Sequence, residues 1–276
     1  MSSPKISFIG GGNMGRALIG GLLERGAPKD SLRVGEAYEP SRTALTRDFG
    51  VFASAENQEA VGGADVVVLA VKPQDAGKVL IALRPMFQSK APLVISIAAG
   101  IRIHDLEAWC GPNVPVVRSM PNRPALVGAG ATGLFAPPTV QPEHRTAAEN
   151  IMRAVGAVVW VQSEEALDVV TALSGSGPAY FFLLAESMLQ AGIELGLSPE
   201  AAHTLAVETL YGAGRLAHAG DGDLARLRAE VTSKGGTTAA AVRIFETADF
   251  RSLVARALTA ATERGRELAE QFGTQR

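Results

Sequence analysis

The chain has 276 residues, 47% of them hydrophobic and 20% charged, with a formal net charge of −2. That length suits two ordinary domains with cores of their own, and near-neutral charge with scattered Lys and Arg leaves no electrostatic footprint for nucleic acid, so a small-molecule partner is expected. The single cysteine, Cys110, excludes an intramolecular disulfide framework, and no Cys/His cluster offers a metal site.

The first residues, Met1-Ser2-Ser3-Pro4-Lys5, run into a short apolar strand without the apolar stretch and small-residue cleavage site of a secretory signal, and a cytoplasmic location is expected. Unbroken apolar runs such as residues 66–71 and 179–185 are too short for a bilayer, so no membrane span is expected. From residue 5 to about residue 162, β-branched apolar runs alternate with amphipathic stretches of helix length. This is the pattern of a doubly wound, mostly parallel sheet of Rossmann type, covered on both faces. Strands are expected at residues 5–9, 32–36, 65–70, 93–97, 114–119, 130–135 and 158–162. Pro73, Pro85, Pro92, Pro121 and Pro124 are expected at element ends, where a missing N–H does least harm. Beyond Ser163 strand-like runs vanish and Ala, Leu, Glu and Arg recur at helical spacing, which divides the chain into an α/β domain over residues 1–163 and an all-α domain over residues 164–276. Ser198-Pro199-Glu200 reads as a capped helix start. The Ala-, Gly- and Leu-rich helix faces suit close approach by a partner subunit.

The strand over residues 5–9 leads into Gly10-Gly11-Gly12-Asn13-Met14-Gly15 and then an amphipathic helix. In that context the G-x-G-x-x-G spacing has a mechanical reading: Gly10 for the tight turn, Gly12 for backbone approach to a pyrophosphate, Gly15 for close helix packing, and the helix N-terminus for the phosphates. Glu36 lies 21 positions after Gly15, near the interval of an acid that accepts from the ribose 2′-OH of NAD. Arg42 follows soon after and suits the 2′-phosphate of NADP, so the residues themselves leave the choice open. Val71-Lys72-Pro73 and Met120-Pro121-Asn122 each end a strand where open α/β sheets place ligands; Lys72 is a candidate for a ribose or phosphate, Asn122 for the cofactor or pocket wall, and each reads equally as an ordinary strand terminus or turn. In the helical half, residues 173–180 are expected to break one helix at small residues and restart it at Pro178. Residues 231–238 supply hydroxyls, flexible backbone and a helix N-terminus, a cradle for a carboxylate. His104, His144, His203 and His218 stand without a paired carboxylate or cysteine at ligand spacing, and no serine elbow or Cys/His pair supports hydrolysis.

Together these segments resemble the pyrroline-5-carboxylate reductase family over nearly the whole chain. Phe8-Ile9 with Asn13-Met14-Gly15, then Ala70-Val71-Lys72-Pro73, then Met120-Pro121-Asn122 look like its cofactor half, and residues 173–180 and 231–238 like its signature segments. The resemblance implies reduction of 1-pyrroline-5-carboxylate to proline by hydride from NADPH, with NADH also possible. It implies that Asn57 turns toward the cofactor, although alone it reads equally as a helix cap. It further implies that Ser233, Gly235, Gly236 and Thr237 hold the substrate carboxylate, that Thr238 and Ser176 are the catalytic candidates, with Thr238 on the imine nitrogen, and that the all-α region dimerises, with dimers gathering into decamers. A related imine or β-hydroxyacid reductase, or a non-catalytic dinucleotide-binding protein, are the competing readings. Two residues depart from the family pattern, Arg123 where Thr is usual and Lys234 where Pro often precedes the paired glycines.

Overall fold

The computed structural model describes residues 3–220 and 222–273. Eight strands, β1 (Ile6–Ile9), β2 (Leu32–Gly35), β3 (Phe52–Ser54), β4 (Val66–Leu69), β5 (Leu93–Ser96), β6 (Val116–Met120), β7 (Gly130–Phe135) and β8 (Gly156–Trp160), form one sheet in the order β3-β2-β1-β4-β5-β6-β7-β8. All neighbours are parallel except β6 and β7. Helices α1 (Asn13–Glu24), α2 (Glu39–Phe49), α3 (Asn57–Val61), α4 (Pro73–Ser89), α5 (Ile103–Cys110) and α6 (Pro142–Arg153) connect them. The Rossmann-type sheet expected from the alternation of strand and helix is present.

Parallel strands covered on both faces must be apolar throughout, and β1, β4 and β5 are buried at every position. Alternation distributes their side chains between two cores. Ile6 and Phe8 pack with Leu18, Ile19 and Leu22 of α1, whereas Ile9, Val67 and Leu69 pack with Leu80 and Leu83 of α4 and Leu106 of α5. Each fully buried side chain of this size contributes about 1.5–3 kcal/mol. The polar Ser7 is tolerated inside because its hydroxyl donates to Ala60 O at 2.7 Å.

Several expectations need correction. Strand β3 was missed, since three residues with Phe52 exposed at the sheet edge leave no apolar run to recognise. Strand β8 starts two residues earlier than expected, because its first pairing is Gly156 with Gly130, where a Cβ on Gly156 would collide with the Gly130 carbonyl. Pro85 sits inside α4, not at an element end. The carbonyl deprived of its donor belongs to Ile81, which is 55% exposed and so accessible to water. Over residues 173–180, where a break was expected, the helix runs on after a widened turn: α7 (Ala166–Val170) passes through a π-helical turn, Thr171–Gly175, in which Ser176 N–H donates to Thr171 O at 2.8 Å. Helix α8 (Gly177–Glu194) follows at once. The run Ala166–Glu194 is thereby long and apolar enough to cross a bilayer by length and composition alone, although its unbroken apolar runs stay short.

Helices α9 (Pro199–Ala219), α10 (Leu224–Glu230), α11 (Thr237–Thr247) and α12 (Phe250–Gly273) complete the chain. By packing the chain separates into two units, one up to Ser176 together with the residues from Ala261 onward, the other Gly177–Ala260. The change of sequence texture at Ser163 lies earlier than this division because α7 packs on the sheet, with Val170 and Leu167 against Gly133 of β7. In the second unit Ser198 caps α9 through its hydroxyl, which accepts from Ala201 N–H at 3.2 Å. Among its described residues only Gly177, Ala202 and Ala206 are buried, while Phe181, Phe182, Leu183, Leu205 and Ile244 are each more than half exposed.

Candidate functional site

Strand β1 lies between β2 and β4, so chain direction across the sheet reverses there and a crevice opens beyond the strands' carboxyl ends. The glycine turn occupies that place. Gly10 has φ +100° and its N–H donates to Gly35 O at 2.8 Å. A Cβ on Gly10 would stand 2.5 Å from Ala70 O, and one on Gly15 would stand 2.6 Å from Gly10 O. Above Gly12 there is open space, since a Cβ there would meet nothing within 4 Å. Helix α1 begins at Asn13 without a side-chain cap, so its first N–H groups face that space. Met14 instead packs half-buried against the core. The turn at Gly10 and the close approach at Gly15 admit no Cβ, and the space above Gly12 has room for a dinucleotide pyrophosphate.

Glu36 and Arg42 meet at the end of β2. The Glu36 carboxylate accepts Gly11 N–H on Oε2 and Tyr38 N–H on Oε1, each at 2.8 Å. Arg42 Nη1 donates to Glu36 O at 2.8 Å and to Ala37 O at 3.1 Å. Asn57 stands over Gly35, where its Oδ1 would collide with any Cβ; it is the first residue of α3, and the cap position belongs to Glu56. At the end of β4, Val71 is half-buried, Lys72 is exposed at the cap position of α4, and Pro73 is the first helical residue. Gly10, Gly12, Gly15, Glu36, Asn57, Val71 and Lys72 are thus gathered along the carboxyl edges of β1, β2 and β4.

Asn122, a candidate for the cofactor or the pocket wall, is engaged within the sheet domain. It is 8% exposed, its Nδ2 donates to Ser174 O at 2.9 Å, and its Oδ1 accepts Ala131 N–H at 2.8 Å. Both ends of the amide are engaged, and they tie β6 to β7 and to the π-helical turn that precedes Ser176. Nearby, Arg118 in β6 lies 2.6 Å from Glu164, whose Oε1 also accepts Ile103 N–H at 2.7 Å, and Arg102 lies 2.8 Å from Asp168. Burial pushes the Arg118 guanidinium below its ordinary value while Glu164 opposes the shift. These pairs fasten α7 to the sheet, and sequence spacing carried no sign of them.

In the second unit, Ser233, Gly235, Gly236, Thr237 and Thr238 form the approach to α11. Gly235 has φ +73°, Gly236 N–H donates to Ser233 O at 3.1 Å, and Gly236 occupies the cap position with no side chain to satisfy the helix N–H groups. Ser233, Lys234 and Thr237 are exposed and Thr238 is half-buried. A small carboxylate finds there hydroxyls, free backbone donors and the positive end of an 11-residue helix.

Reasoning from sequence missed Gly11, Gly35 and Tyr38. Gly11 and Gly35 needed their neighbours across the sheet to be known: a Cβ on Gly11 would collide with Leu45, and one on Gly35 with Asn57. Cys110 is buried, which pushes its thiol up to about 12 and removes it as a nucleophile at neutral pH. His104 does have a carboxylate neighbour, Asp105 Oδ1 at 3.2 Å from its Nε2, in the first turn of α5, where the imidazole is exposed and the carboxylate is buried. Among the described residues no group of three or more His, Cys, Asp or Glu side chains is arranged to hold a metal.

Comparison with known proteins agrees with this geometry. Residues 164–268 match the family described as pyrroline-5-carboxylate reductase dimerisation, and residues 5–100 match NADP oxidoreductase, coenzyme F420-dependent. The chain is 46% identical over 273 residues to the pyrroline-5-carboxylate reductase of Pseudomonas aeruginosa, with 99% of this chain and 100% of that protein covered. It is 41% identical to that of Vibrio alginolyticus, again covering 99% and 100%. A solved pyrroline-5-carboxylate reductase from Coxiella burnetii superposes with a TM-score of 0.93 at 42% identity, covering 97% of this chain and 99% of that one. The Plasmodium falciparum pyrroline carboxylate reductase, solved with NADP bound, gives 0.82 at 32% identity, covering 98% and 99%. The helical region is therefore a dimerisation domain, the sheet domain is of the NAD(P)-binding type, and the chain belongs to the pyrroline-5-carboxylate reductase family.

Proposed function

We propose that this protein reduces the C=N bond of 1-pyrroline-5-carboxylate to give proline, using NADPH or NADH, as the last step of proline biosynthesis. The observation that carries the reading is the glycine turn at the reversal of the sheet, open above Gly12, in a chain that matches this family from end to end. The dinucleotide, when bound, would supply the hydride that adds to the imine carbon, the atom that becomes C5 of proline. The protein contributes position and electrostatics. The N–H groups at the start of α1, beside Gly12, Asn13, Met14 and Gly15, hold the pyrophosphate, with Lys72 as a further phosphate or ribose contact. Val71, Pro73 and Asn57 shape the wall, and Asn122 acts by holding the π-helical turn in place. Ser233, Gly235, Gly236 and Thr237 bind the substrate carboxylate at the N-terminus of α11. Thr238 hydrogen-bonds the imine nitrogen through its Oγ1, and Ser176 is the second hydroxyl we assign to the reaction. A protonated imine is already electrophilic, so orientation and exclusion of water suffice and no strong protein acid is required.

We further assign residues 1–163 to the dinucleotide and residues 164–276 to substrate binding and dimerisation, the functional unit being a homodimer in the cytoplasm that assembles into decamers as the family resemblance implies. The exposed Phe181, Phe182 and Leu183 of α8 and the free, buried Cys110 support this arrangement. The test is steady-state oxidation of NADPH and NADH with 1-pyrroline-5-carboxylate beside other cyclic imines and β-hydroxyacids. Turnover confined to or strongest with the first is expected; none with it overturns the proposal.

A further inference from the structure

The loop after β2 carries both a feature that suits NAD and one that suits NADP, and the geometry distinguishes them. Glu36 is clamped by two backbone donors, Gly11 N–H from the glycine turn and Tyr38 N–H from its own loop, each at 2.8 Å. One lone pair on each carboxylate oxygen is thereby used and one remains. An acceptor-only group fixed at the end of the second strand matches a ribose diol, whose two hydroxyls both donate. It repels a 2′-phosphate, which carries about −1.5 to −2 charges at neutral pH and has little proton to offer. Swinging the carboxylate aside would forfeit both clamping bonds. Arg42 is folded back onto the same loop, its Nη1 shared between the carbonyls of Glu36 and Ala37, and Arg42 N–H donates to Tyr38 O at 3.0 Å to start α2. Between residues 36 and 42 it is the only cation beside two carboxylates, Glu36 and Glu39.

We infer that Glu36 makes this reductase select NADH over NADPH, and that Arg42 acts on cofactor binding by holding the loop that presents Glu36. The inference deepens the proposed function and rests on it only for the place where the adenosine ribose lies.

The test is binding, read by calorimetry on the full-length protein without substrate. NADH is expected to bind about tenfold more tightly than NADPH, the scale of one carboxylate–phosphate repulsion at a partly solvated site. Higher salt should narrow that ratio by screening. Glu36→Gln, checked by circular dichroism for an unchanged fold, should bring the ratio toward one by removing the charge. Arg42→Ala should weaken both cofactors alike. Equal or tighter binding of NADPH by the unaltered protein overturns the inference, as does loss of NADPH binding alone in Arg42→Ala. The first measurement needs no variant. Tight NADH binding with no turnover of 1-pyrroline-5-carboxylate would remove the proposed reaction and leave this selection standing, whereas turnover with a preference for NADPH would do the reverse.

Discussion

The sheet domain and the helical region solve the burial problem in opposite ways. In the first, four-residue strands such as β1 and β4 are covered on both faces by helices of the same chain, and two apolar cores close around them. In the second, five helices leave Phe181, Phe182, Leu183, Leu205 and Ile244 more than half exposed. The sheet half buries most of its large apolar side chains, with Tyr38, Phe52 and Leu126 among the exceptions, whereas the helical half leaves most of its own exposed, as suits a region that matches a dimerisation family. The proposed dinucleotide cradle therefore falls in the self-sufficient half and the proposed carboxylate cradle at α11 in the half that depends on assembly.

The largest expected effect tests self-sufficiency. Glu164→Ala leaves the buried guanidinium of Arg118 without its partner and should lower stability by about 3–5 kcal/mol, measured by urea denaturation. A loss below 1 kcal/mol would mean that α7 is held by packing alone. Next comes a contrast within the glycine turn. Gly10→Ala meets a backbone carbonyl and a left-handed φ, so it should destabilise the fold by about 2 kcal/mol or more. Gly12→Ala places its methyl in open space and should leave the melting temperature unchanged while weakening dinucleotide binding. Equal damage to stability by both would contradict the division of labour. On the helical side, Phe182→Asp should shift the protein toward monomers in sedimentation and reduce turnover, while the sheet domain still binds the dinucleotide. Thr238→Ala should lower turnover about tenfold or more with little change in dinucleotide affinity; equal losses in both would remove Thr238 from the imine.

The smallest effect lies at the surface. Hydrogen bonds from Lys90, and then from Lys5 N–H, hold the Asp65 carboxyl below its ordinary value. A depressed carboxylate stabilises the fold above its unfolded pKa, and that contribution fades as pH falls through the folded value. Both side chains are about half exposed, so Lys90→Ala should cost less than about 1 kcal/mol at pH 7 and nothing further once Asp65 is protonated.

What was legible in the sequence follows the same divide. Strand-helix alternation and the glycine spacing are local signals, and they placed the sheet and the turn that holds Gly10, Gly12 and Gly15. The edge strand β3, the clamp on Glu36 and the two-sided engagement of Asn122 depend on residues brought together from different strands, so no local pattern contains them. The π-helical turn at Thr171–Gly175 was misread because Ser and Gly ordinarily break helices, and here the Asn122 amide and the Ser176 N–H accommodate the widened turn. The loop of hydroxyls and glycines at residues 231–238 is a local signal too, and the structure adds that Gly236 leaves the N-terminus of α11 without a side-chain cap.

The central claim is hydride transfer to the ring carbon of a cyclic imine, and isotope transfer measures it most directly. The protein, incubated with 1-pyrroline-5-carboxylate and NADH deuterated at C4 of the nicotinamide, is predicted to yield proline labelled at C5 from one face of the nicotinamide only. Oxidation of the cofactor without label in proline, or no proline at all, would contradict the account.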